Sequence, residues 1–168
     1  MEEGTPGKGL VEQVYLDTNV YCRPLDDQGN RRIRRESMAF LEIADRALRG
    51  EIRILSSDYV KFEIERIQDP LKRKDVRGFE RTLSPVNVNS TSQLRALARD
   101  IATRCGVNAL DALHVSSACI GGAEFLLTCD DEIVDRKFCI EKFLAEKGYW
   151  LKVRNPIEYL QERWKVKV

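Results

Sequence analysis

The chain has 168 residues, 43% of them hydrophobic and 33% charged, with 28 basic side chains against 27 acidic ones. One domain with a sizeable apolar core is the expected outcome, and a disordered polyelectrolyte is excluded. A net charge of +1 supplies no global positive field to mark a nucleic-acid binder, although local clusters of Lys and Arg still bind phosphate.

Residues 1–10, with Gly4, Pro6, Gly7 and Gly9, lack the apolar core of a signal peptide and read as a flexible lead-in. Residues 11–16 are short, apolar and β-branched, ending at Asp17-Thr18-Asn19, and read as a buried strand entering a loop. After a polar loop over 23–30, Ile33, Phe40, Leu41, Ala44, Ala47 and Leu48 recur at helical spacing until Gly50 closes the helix. Ile52, Ile54 and Leu55 make a second strand, and Ser56-Ser57-Asp58 offers a cap for a helix halted by Asp69-Pro70.

Residues 71–82 are basic and weakly amphipathic, and Ser84-Pro85 breaks them. Ser90-Thr91-Ser92-Gln93 fits a capping box for a helix ended by Gly106, and a further helix runs over about 110–119. Phe125-Leu126-Leu127 is a buried strand emptying into Thr128-Cys129-Asp130-Asp131, and residues 149–153 form a last strand. Asn155-Pro156-Ile157-Glu158 starts a short C-terminal helix, so that 155–168, with its basic tail, packs on the 11–154 domain. Strands alternating with helices predict an α/β fold, a parallel sheet covered on both faces.

No run of about 18 apolar residues is present, so no membrane span is expected. Five cysteines, an odd number with no C-x-x-C pair, argue against a disulfide framework or a zinc knuckle. Reduced, mostly buried thiols and a cytoplasmic location are the expectation.

In an open parallel sheet, sites form beyond the carboxyl ends of the strands. Asp17 and Asp130 each follow a predicted strand; Asp111 opens a helix, and Glu63 lies in the helix after the second strand. Four carboxylates gathered together repel and raise at least one pKa unless a hard cation such as Mg²⁺ or Mn²⁺ joins them.

The runs Tyr15-Leu16-Asp17-Thr18-Asn19-Val20, Ser57-x-x-Val60-x-x-Glu63, Asp111-Ala112-Leu113-His114-Val115 and Leu127-Thr128-Cys129-Asp130 occur in that order. Together they resemble the four motifs of PIN domains, the PilT N-terminus family, and among these the VapC-like toxin ribonucleases and similar small prokaryotic PIN proteins. The resemblance implies a three-layer α/β/α sandwich with a central, mainly parallel sheet. It implies an Mg²⁺- or Mn²⁺-dependent endoribonuclease in which metal-activated water cleaves RNA phosphodiester bonds. Asp17, Asp111 and Asp130 would hold the metal, Glu63 would complete the catalytic acids, and Asn19 and Thr128 would orient them. A toxin role with an antitoxin partner, and a homodimer, are further family-level expectations. A chain longer than a minimal toxin departs from that pattern, which leaves a stand-alone RNA-processing nuclease and a catalytically silent RNA- or protein-binding module open.

Several of these residues have rivals. Asp131 adjoins Asp130, and Glu65 points about 200° away from Glu63 on a helix, so only one of that pair faces the site. Asp111 also suits a plain helix cap. His114, the sole histidine, falls on the face of Asp111 and reads as packed or supporting rather than as a ligand. Arg31-Arg32-Arg34-Arg35 and Lys72-Arg73-Lys74 either grip RNA phosphates or form solvated faces, and Arg23 is better placed to reach substrate. A phosphotransferase of the haloacid-dehalogenase type requires a second Asp where Asn19 stands, which disfavours it.

Overall fold

The computed structural model describes residues 11–168; the predicted lead-in over 1–10 lies outside the described residues. Five strands form one sheet: β1 (Glu12–Leu16), β2 (Ile52–Ser57), β3 (Val86–Val88), β4 (Phe125–Leu127) and β5 (Lys152–Arg154), in the order β3-β2-β1-β4-β5. Every pairing is parallel. The central strand β1 hides Val14, Tyr15 and Leu16 completely, as both faces of an enclosed parallel sheet require.

Nine α-helices surround the sheet: α1 (Thr18–Cys22), α2 (Arg31–Leu48), α3 (Asp58–Glu65), α4 (Pro70–Leu83), α5 (Ser92–Cys105), α6 (Ala109–Ile120), α7 (Asp131–Val134), α8 (Lys137–Glu146) and α9 (Pro156–Tyr159) among the described residues. Tyr15 reaches His114 of α6 on one face of β1, whereas Glu12, of opposite parity, reaches Tyr159 of α9 on the other. Helices therefore cover both faces, giving the three-layer α/β/α sandwich.

Most helix starts are those the capping residues specify. Asn30, Ser57 and Thr91 accept from the first-turn amides of α2, α3 and α5. Asp69-Pro70 does more than stop a helix: Asp69 caps α4 and Pro70 is its first residue. Gly106 closes α5 in the left-handed region at φ +67°, which a residue with a Cβ resists. Strand β3, helices α1, α7 and α8, and a 3-10 turn at Arg23–Leu25 inside the expected loop were not predicted.

The C-terminal segment is tied to the first strand. Tyr159 donates to Glu12 Oε2 at 2.6 Å, Arg163 donates to Glu12 Oε1 at 2.8 Å, and the Arg46 guanidinium stacks over Trp164 at 4.3 Å.

One expectation is overturned. Cys105 and Cys139 form a disulfide between the end of α5 and α8, with Cα atoms 5.7 Å apart, while Cys22, Cys119 and Cys129 are free. The two lie 34 residues apart, and only the packing of α5 on α8 makes them neighbours. The step from reduced thiols to the cytoplasm loses its premise. Among the described residues, no helix is long and apolar enough to cross a membrane.

Candidate metal centre

The winding of the sheet reverses between β1 and β4, and such a switch point opens a crevice beyond the strand ends. Asp17 leaves β1 at that point, 4% exposed, and caps α1 through Oδ1, which accepts from the Thr18 amide at 2.7 Å. Its Oδ2 accepts from Thr128 Oγ1 at 2.8 Å and from Asn19 Nδ2 at 3.1 Å. Thr128, directly after β4, also accepts from the Asp130 amide at 3.0 Å, and Asn19 Oδ1 accepts from the Cys129 amide at 3.0 Å. The loops after β1 and β4 are thus laced together around two carboxylates.

The other two acids arrive on helices. Asn108 caps α6, accepting from the Asp111 amide at 2.8 Å and donating to Asp111 Oδ2 at 2.7 Å. Glu63, about one and a half turns into α3, accepts at Oε1 from Thr18 Oγ1 at 2.9 Å and is in hydrogen-bond contact with His114 Nε2.

Two groups result, each with donor atoms within 4.8 Å of one another: Asp17, Glu63 and His114, and Asp111, Asp130 and Glu132. Their charges link them. Burial, then the charges of Asp130 and Asp17, push the Asp111 carboxyl up to about 6. Burial also raises Asp17, with Glu63 adding to it against the opposing pull of His114 and Thr128. Burial alone would raise Glu63, but the hydrogen bond and charge of His114 hold it below its ordinary value. Burial opposes a charged imidazole, yet Asp17 and Glu63 keep His114 above its ordinary value.

The rivals are engaged elsewhere. Asp131 forms a two-pronged pair with Arg32, at 2.6 and 2.7 Å, and Glu65 binds Arg77. The capping of α6 falls to Asn108, leaving the Asp111 carboxylate in the acidic cluster. Arg23 is committed through Nε to Glu36 at 3.0 Å and through Nη1 to Asp26 at 2.8 Å, which removes two of its donors from any phosphate. Lys72 likewise pairs with Asp26 at 2.7 Å, and Arg35 donates to the Val168 carbonyl.

A family model for the PIN domain matches residues 14–138. The chain belongs to the PIN domain family. The match contains all four motifs, from the strand before Asp17 to beyond Asp130. PIN domains are in general metal-dependent nucleases, and divalent ions are their usual cofactors. No curated protein matches the chain. The residues present fit such an ion by the chemistry of their donors: two groups of hard carboxylate oxygens, Asp17 with Glu63 and Asp111 with Asp130 and Glu132, are of the kind such cations take.

Sequence reasoning missed Glu132, which rides on the unpredicted α7, and Thr18, whose hydroxyl reaches a glutamate 45 positions away.

Proposed function

We propose that this PIN domain is an endoribonuclease dependent on Mg²⁺ or Mn²⁺, hydrolysing RNA phosphodiester bonds as the toxin of a toxin–antitoxin pair. The observation that carries the reading is the placing of acids beyond the strand ends: Asp17 held by Thr128 and Asn19, and Asp111 and Asp130 with donor atoms within 4.8 Å of each other. Asp17, Asp111 and Asp130 would hold the ion, whose chemistry is to activate water and neutralise charge growing on the phosphate.

The chain's own side chains supply rigidity. Thr128 and Asn19 occupy the Asp17 oxygen nearest β4, and Asn108 holds Asp111 by both ends of its amide. Held this way, Asp17 and Asp111 are ordered before a cation arrives. Glu63 takes part from α3, its Oε1 tied and its Oε2 without a hydrogen bond among the described residues. An antitoxin protein and a homodimer are partners under the same proposal, which native mass spectrometry of the complex from its source would reveal.

Purified protein should cleave structured RNA with Mg²⁺ or Mn²⁺ and leave 3′-hydroxyl ends, and either a chelator or Asp17→Asn should abolish cleavage. Cleavage indifferent to the chelator would overturn the mechanism; no cleavage of any RNA would favour the silent binding module.

A further inference from the structure

His114 lies one turn after Asp111 on α6 and is 1% exposed. Its Nδ1 is 2.7 Å from the Tyr15 hydroxyl on β1, which is in turn 2.6 Å from Ser57 Oγ at the end of β2. As the cap of α3, Ser57 Oγ accepts from the amides of Tyr59 at 3.1 Å and Val60 at 3.2 Å. Those two donors occupy both lone pairs of the hydroxyl oxygen, so Ser57 must give its own hydrogen away. The Tyr15 oxygen receives it, and Tyr15 turns its O–H onto His114 Nδ1. In its neutral form the ring then carries its hydrogen on Nε2, facing Glu63 Oε1, with Asp17 Oδ1 at 3.6 Å.

The opposite tautomer fails at Ser57. A hydrogen on Nδ1 alone would force the Tyr15 O–H back onto Ser57 Oγ as a third donor. It would also leave the Ser57 hydrogen without an acceptor in a fully buried place. A histidine that binds a cation through one nitrogen donates the other N–H to an acceptor. Here the second nitrogen is itself the acceptor, the reverse of that arrangement.

We propose that His114 is a positioning residue of this site: an Nε2–H donor that fixes the Glu63 carboxylate and does not itself bind the cation. The role rests on the metal-dependent reading above. With His114 and the Thr18 hydroxyl both donating to Oε1, the second oxygen of Glu63 is the one left for the cleft. The line Ser57, Tyr15, His114, Glu63 joins the first three motifs through side chains, so the helix that brings Asp111 also sets Glu63.

Because the chain has a single histidine, tag-free protein labelled with ¹⁵N at histidine gives only its two ring resonances. A long-range ¹H–¹⁵N correlation should show a hydrogen on Nε2 both before and after saturation with Mg²⁺. In Tyr15→Phe the Nδ1 resonance should move while Nε2 keeps its hydrogen. A hydrogen on Nδ1 alone, or loss of the Nε2 hydrogen on adding Mg²⁺, would overturn the proposal.

Turnover should fall about 10- to 100-fold in His114→Leu, and His114→Gln, which restores an N–H, should recover part of it. Equal losses in the two variants would also overturn the role. Calorimetry separates the two levels of inference. Absence of Mg²⁺ binding to the wild type would bring down the metal reading itself, whereas bound Mg²⁺ with a deprotonated Nε2 would bring down only the role of His114.

Discussion

Thr128→Val replaces a hydroxyl by a methyl of nearly the same shape and so isolates the hydrogen bonds that lace β1 to β4. Thr128 is completely buried, donates to the Asp17 carboxylate at 2.8 Å and accepts from the Asp130 amide at 3.0 Å. Loss of a hydrogen bond to an ionised group costs about 1.5–3 kcal/mol. The Asp130 amide lies in a half-buried residue that water can reach, so it adds little. A destabilisation of about 2 kcal/mol corresponds, for a domain of this size, to a fall in Tm of about 4–8 °C. The same change frees the Asp17 carboxylate and loosens the backbone that carries Asp130, so affinity for Mn²⁺ should fall about 10- to 100-fold. Differential scanning calorimetry in chelator and titration calorimetry with Mn²⁺ measure the two effects. A variant with unchanged Tm and unchanged affinity would refute the view that Thr128 organises the site.

The carboxyl of Asp111 sets a pH dependence. Its pKa in the fold is raised to about 6 by burial and by Asp130 and Asp17, so the native state binds more protons than the unfolded state from about pH 4 to 6. Stability of metal-free protein should therefore decline as pH rises through that window; Asp111→Asn should flatten the decline and be the more stable protein at pH 7.5 by urea unfolding. Conversely, Mg²⁺ at a hundred times its Kd should raise wild-type stability by about 2.7 kcal/mol, and Asp17→Asn should show none of this gain in a thermal scan. The disulfide closes a loop with ends 34 residues apart, so Cys105→Ser should lose about 3–4 kcal/mol by urea unfolding. Thiol titration of unfolded, unreduced wild type should find three free thiols.

The legible parts of this chain are those written in a few adjacent residues. An apolar run ending in Asp17-Thr18-Asn19, and another ending in Thr128-Cys129-Asp130, announce buried strands that deliver acids at their carboxyl ends, and both do. The caps at Ser57 and Thr91 are equally local. Strand β3 escaped because Val86-Asn87-Val88 is too short to show a period and draws its stability from pairing with Leu55, Ser56 and Ser57. Helix α8 escaped because its apolar side chains are interleaved with Lys137, Glu141, Lys142 and Glu146, which weakens any local pattern. The partnership of Cys105 with Cys139 needs α5 and α8 side by side. The company His114 keeps needs Tyr15 from β1 and Ser57 from β2, and Arg23 looked available because one of its partners, Glu36, lies on α2 outside the loop.

The most direct measurement is anomalous diffraction from crystals soaked in Mn²⁺. The account predicts an ion beyond the carboxyl ends of β1 and β4, about 2.0–2.2 Å from carboxylate oxygens of Asp17, Asp111 and Asp130, and no such peak in Asp17→Asn. An ion held elsewhere, or none at this position at saturating Mn²⁺, would contradict it.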